Sequence, residues 1–90
     1  MAKLQSFSIA GVELWFWSHD HNPPHFHAKR RGEWEARVKF LENRSQMIEV
    51  IWLKSSKATI SKRDRNLLQK MVEEHRDELL KEWEEKVQPE

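Results

Sequence analysis

The sequence predicts an α+β protein: an antiparallel sheet of four to five strands with one long C-terminal helix packed on one face. Three observations predict it. Apolar residues alternate in the first half of the chain, they recur at three- and four-residue spacing in the second, and the whole is 90 residues long. That length suits a single domain over 1–90. A chain of this size buries only about 60–65% of its unfolded surface, so its core must be compact and rich in large side chains. Five Trp and four Phe meet that need.

The elements follow in order. Phe7 and Ile9 form a short alternating run, and Gly11 permits a tight turn after it. Val12, Leu14 and Phe16 then alternate with Glu13, Trp15 and Trp17, the period of a strand. His25 to Lys29 and Glu33 to Phe40 flank Arg30-Arg31-Gly32 and predict a hairpin. A three-residue loop, Arg30 to Gly32 with Gly32 left-handed, makes each face chemically uniform. It sets Phe26 opposite Ala36 and Ala28 opposite Trp34; on the other face His25 meets Arg37, His27 meets Glu35 and Lys29 meets Glu33. Glu42 to Gln46 reads as a loop. Met47 to Leu53 is apolar except for Glu49 and reads as an inner strand with neighbours on both edges.

Ser61 with Asp64 three positions later predicts a helix start of capping-box type. Leu67, Leu68, Met71, Val72, His75, Leu79 and Trp83 form one apolar stripe, while Glu73, Glu74, Asp77, Glu78, Lys81, Glu82 and Glu85 populate the remaining surface. Gln88-Pro89-Glu90 should end the helix. The sheet face away from the helix stays uncovered in a monomer, which predicts a partner or a homodimer.

Sixteen Lys and Arg against fifteen Asp and Glu give a net charge of +1, which excludes blanket attraction to nucleic acid or a membrane surface. The balance hides an asymmetry. Lys29 to Arg65 holds eleven cations and five anions, and Asn66 to Glu90 holds four and eight. Lys62, Arg63 and Arg65 crowd the first helical turn, where the macrodipole disfavours cations. They are candidates for binding an anion, a phosphate or a partner's carboxylate, and otherwise form a solvated, frustrated helix start. A nucleic-acid contact through this local basic patch stays open, with Trp15, Trp17 and Trp52 as stacking platforms or as sheet core. The absence of Cys removes disulfides and thiolate metal sites and makes a cytoplasmic location the expected one. No apolar run approaches the roughly 18 residues of a membrane span, and Met1 to Ser6 lacks the apolar stretch of a secretory signal.

One segment carries chemistry. His19-Asp20-His21-Asn22-Pro23-Pro24-His25-Phe26-His27 places four His and one Asp in nine residues. Alternate strand residues share a face, so His25 and His27 project together. Pro23-Pro24 stiffens the backbone and biases Asn22 to an extended conformation. Three readings follow. In the first, His19, Asp20, His21, His25 and His27, with Glu35 across the hairpin, ligate a divalent transition metal such as zinc, nickel or iron. In the second, His25 and His27 form a metal-free acid–base pair with Arg37 supplying a cation, as in-line RNA cleavage requires. In the third, the segment is a structural corner in which Asn22, Pro23, Pro24, Phe26 and the downstream Gly32 define the backbone and the imidazoles satisfy it. His75, at the centre of the apolar stripe, reads as a packed imidazole, or else as a residue reaching across to Asp20 or the histidines.

The run Trp17-Ser18-His19-Asp20-His21-Asn22-Pro23-Pro24-His25-Phe26-His27-Ala28, with Gly32, His75-Arg76-Asp77-Glu78-Leu79-Leu80 and Trp83, resembles the bacterial family known as domain of unknown function 4160. The resemblance implies a small stand-alone protein, encoded beside a second small protein in a toxin–antitoxin-like pair. It implies a partner from that neighbouring gene and no particular activity. The sequence therefore points to a small accessory or binding module, one half of such a pair. The alternative is a metal- or histidine-dependent ribonuclease or phosphoesterase centred on His19 to His27.

Overall fold

The computed structural model describes residues 1–87, so the expected terminator at 88–90 lies outside the described residues. The chain forms β1 (Ala2–Lys3), β2 (Glu13–Phe16), β3 (Phe26–Arg30), β4 (Trp34–Val38), α1 (Arg44–Met47), β5 (Ile48–Leu53) and α2 (Lys62–Lys86). The five strands make one antiparallel sheet in the order β1-β2-β3-β4-β5. Every connection joins neighbours, as short links require.

Alternation puts Leu14, Phe16, Phe26, Ala28, Trp34, Ala36 and Val38 on one face, where they are buried with Leu68, Val72, Leu79 and Trp83 of α2. The helix stripe is therefore the lid of the core, as its spacing predicts. The Ser61 hydroxyl accepts the Asp64 backbone N–H at 3.1 Å and starts α2 where the capping pattern placed it. At His75 the backbone leaves helical geometry (φ −127°, ψ 20°). Its Nδ1 donates to the Met71 carbonyl at 2.8 Å, taking the acceptor that an intrahelical N–H would use. The ring packs on Phe7 at 5.5 Å, so His75 is a packed imidazole that stays away from the histidine segment.

Several expectations are corrected. The first strand is Ala2–Lys3, paired with Phe16 and Trp15; Phe7–Ile9 contributes only an Ile9–Val12 bridge around the Gly11 turn. The hairpin loop is Arg31 to Glu33, one residue later than predicted, so Phe26 faces Val38, His27 faces Arg37 and Lys29 faces Glu35. This two-residue shift in pairing leaves every side chain on its predicted face, which is why face chemistry alone could not exclude it. Gly32 (φ +80°) serves the Arg30–Glu33 turn. The 42–46 loop contains the start of α1, one turn that buries Met47.

The apolar run Ile48–Leu53 is an edge strand, not an inner one. Val50, Ile51 and Trp52 are 39%, 48% and 47% exposed. The reason is width. Five strands at about 4.8 Å spacing span about 19 Å, whereas one helix with its side chains is about 10–12 Å across. A single helix leaves an outer strand bare.

Gly11 offers a test of how tightly the turn is built. It has φ +77°, and a Cβ there would lie 2.6 Å from Arg30 Nη1, whereas at Gly32 a Cβ would meet nothing within 4 Å. Gly32→Ala should cost the backbone penalty alone, about 1–2 kcal/mol. Gly11→Ala should cost measurably more in urea denaturation, because Arg30 must also move.

Candidate metal centre

The site is built by the connection from β2 to β3. Past Phe16 the chain turns, with the Asp20 N–H donating to the Trp17 carbonyl at 3.3 Å and the Trp17 N–H donating to Asp20 Oδ2 at 3.2 Å. This reciprocal pair aims the carboxylate back over the sheet. The chain then passes through Asn22 and a cis Asn22–Pro23 bond and enters β3 through His25. Register sets Trp15 opposite His27, and the two rings stack at 5.4 Å and 19°. Trp83 of α2 lies 5.6 Å from the His25 ring. Both imidazoles are buried, each 5% exposed, although no second layer covers this sheet face; the aromatic neighbours and the Asp20 turn exclude water instead.

Hydrogen bonding orients the rings. His25 Nδ1 lies 2.8 Å from the Pro23 carbonyl. A carbonyl only accepts, so Nδ1 carries a proton, and in the neutral ring Nε2 presents a bare lone pair. That Nε2 is buried, has no hydrogen-bond partner and sits 3.5 Å from Asp20 Oδ2. His27 Nε2 approaches the same oxygen at 3.1 Å. Burial lowers the His27 pKa, outweighing the opposing pull of Asp20, and His25 and Arg37 lower it further. His27 thus favours the neutral imidazole, with Nε2 donating to the Asp20 carboxylate; a metal at Nε2 would take the place of that proton, which Nδ1 would then carry.

Asp20, His25 and His27 offer three ligand atoms that all lie within 4.8 Å of one another. Ligands about 2.0–2.2 Å from a metal stand about 2.8–3.6 Å apart in octahedral or tetrahedral geometry. The 3.1 and 3.5 Å separations fall in that range. Two His and one carboxylate, with remaining positions open, form the ligand set of a facial triad. The Pro23 carbonyl supplies the kind of outer hydrogen bond that would fix His25 as a ligand.

The other predicted residues are placed as follows. His19 and His21 are exposed and stand outside the triad. Glu35 does not face His27; the corrected register sets it 3.9 Å from Lys29, and it takes no part in the cluster. Arg37 lies across from His27 rather than His25. Lys62 and Arg63 are exposed and Arg65 half-buried in the first turn of α2. Buried Asp64 stands among them and puts a negative charge at the helix start, where the macrodipole favours one.

A cleft of about 280 Å³ opens beside the triad, lined by Asp20, His21, Asn22, Pro23, His25, Arg37, Lys39 and Glu49. Lys39 and Glu49 were not singled out from the sequence. The signal for Lys39 was its parity: it shares a strand face with Arg37. Glu49 is reached only through the pairing of β4 with β5.

These features define a small α+β protein with a His/His/Asp cluster, its two imidazoles buried, at one end of its sheet. The chain belongs to the family described as domain of unknown function (DUF4160), whose model matches residues 11–84. No curated protein and no solved structure shows a significant match to the chain.

Proposed function

We propose that this protein binds one divalent transition-metal ion, zinc, nickel or iron, through Asp20, His25 and His27, and acts as an accessory module within a two-protein, toxin–antitoxin-like pair. One observation carries the metal reading. The buried Nε2 of His25 has no partner and points its lone pair toward a carboxylate oxygen 3.5 Å away. Two acceptors facing each other in a buried site repel, and a cation between them turns that repulsion into ligation. The structural-corner reading leaves this lone pair unexplained. A metal-free acid–base pair is also less well supported, because in-line cleavage needs base and acid on opposite sides of the phosphorus. Here both imidazoles converge on one Asp20 oxygen.

The paired-protein reading draws on the family resemblance and on the bare edge of β5. Val50, Ile51 and Trp52 expose an apolar strand with no further strand on its outer edge among the described residues, the arrangement that strand addition by a partner would satisfy. Among the described residues no helix is long and apolar enough to cross a membrane.

Thermal unfolding with and without Zn²⁺, Ni²⁺ or Fe²⁺ tests the metal reading. At a hundredfold excess of metal over Kd the folded state gains about 2.7 kcal/mol, a Tm rise on the order of 10 °C for a domain of this size. Asp20→Asn and His25→Gln should each abolish the rise. An unchanged Tm with every metal, or a full rise in both variants, overturns the assignment.

A further inference from the structure

The metal reading leaves open what the ion's free positions face. Across β3 and β4, His27 stands opposite Arg37, and continuing that antiparallel register by two residues brings Lys39 opposite His25. Both cations line the 280 Å³ cleft that Asp20 and His25 border. Arg37 is not spent on its ion pair. Nη1 donates to Glu49 at 3.0 Å, while Nη2 has no hydrogen-bond partner among the described residues and the side chain is 43% exposed. Lys39 makes no ion pair among the described residues. With a divalent ion on the triad, Asp20 and Glu49 do not balance the ion together with Arg37 and Lys39. The cleft then carries an excess of positive charge and an unused guanidinium N–H donor.

Resting on the metal assignment, we propose that this cleft binds a phosphate group, one oxygen on the metal and the others on Arg37 and Lys39. A guanidinium offers forked donors that match a tetrahedral oxyanion, and an ammonium adds a point charge. Size supports a compact group. The cleft is at the small end of ligand pockets, which run about 300–1,000 Å³, so it receives a phosphoryl group and leaves the rest of any ester outside. Glu49 sets the orientation of Arg37 by holding Nη1, which leaves Nη2 at the exposed tip of the guanidinium to donate.

Phosphorus-31 NMR of the full chain loaded with Co²⁺ tests this, because a phosphate bound beside a paramagnetic ion broadens strongly. Three probes separate the sources of the group: inorganic phosphate, adenosine 5′-monophosphate and the dinucleotide ApA. Saturable broadening of at least one probe is expected, and the tightest binder names the source. Arg37→Gln and Lys39→Gln should each weaken that binding about tenfold while keeping the metal-induced Tm rise. Absence of saturable broadening, equal affinity in both variants, or equal affinity of the metal-free protein overturns the phosphate site while leaving the metal site standing. A chain that shows no metal-induced Tm rise overturns the metal site, and with it this assignment.

Discussion

Asp64→Asn should lower the free energy of unfolding by about 3 kcal/mol, a large share of what holds a domain of this size together. The Asp64 carboxylate accepts Nε and Nη2 of Arg30, both at 2.8 Å, and the indole N–H of buried Trp34 at 3.3 Å. This single side chain ties the start of α2 to the β3–β4 hairpin and to the core. The Arg30 hydrogen bonds are the main reason its pKa lies below the ordinary carboxylate range, against a smaller opposing effect of burial. Removing one member of a buried ion pair costs about 3–5 kcal/mol, because the other charge is left uncompensated. The low end applies here, since the Arg30 side chain keeps 26% of its exposure. Chemical denaturation measures the loss. The double variant Asp64→Leu with Arg30→Met should recover the charge-pairing part of it, because neither partner then leaves a charge behind, but not the part due to the Trp34 indole N–H, which loses its acceptor. A double variant as unstable as Asp64→Asn would show that the bond acts through something other than charge pairing.

Alternation and helical spacing were enough to place β2 to β5 and α2, because a sheet with one covered face and a helix with one buried stripe leave period-specific patterns. The pairing of His25 and His27 on one face was legible for the same reason. What stayed hidden shares a different cause. Hairpin register was ambiguous by two residues because such a shift preserves both faces, and it decided whether Glu35 or Arg37 stands beside His27. The apolar run of β5 reads like a central strand, since composition records the need for burial and not what covers the strand. Asp64 reads as a helix-start residue and Glu82 as an ordinary polar one, and neither reads as buried. Their burial depends on partners 34 and 77 positions away, distances over which periodicity says nothing. The histidine segment showed which residue types gather, but only the folded turn at Trp17–Asp20 selects Asp20, His25 and His27 and leaves His19 and His21 in solvent.

Glu82 predicts the other large effect, and it comes with a direction in pH. Its buried carboxylate accepts the N–H groups of Gln5 at 2.7 Å and Ser6 at 3.0 Å and the Ser6 hydroxyl at 2.7 Å, and it pairs with Lys86. Burial pushes its pKa up, but Lys86, the Ser6 hydroxyl and the two backbone donors together hold the group below its ordinary range. A carboxyl whose folded pKa is depressed contributes stability above its unfolded value and loses it as pH falls through the folded one. Asp64 is depressed as well, so both contributions fade in the same direction. Stability should therefore fall gently below about pH 6.5, where the lowered pKa of His27 makes its protonation costly to the folded state, and steeply below roughly pH 4, where carboxylates protonate. Glu82→Gln keeps the shape but loses the charge, and a neutral amide cannot accept from every one of these donors. It should cost about 2 kcal/mol at pH 7 and make the acid limb shallower, since one of the carboxylates with a depressed pKa is gone. Hydrogen exchange locates the effect: the amides of Gln5 and Ser6, and of Leu4, which donates to Leu14 at 2.9 Å, should lose protection before the core of β3 and β4. An acid limb as steep in Glu82→Gln as in the parent would show that the carboxylate of Glu82 does not anchor the N-terminal segment to α2.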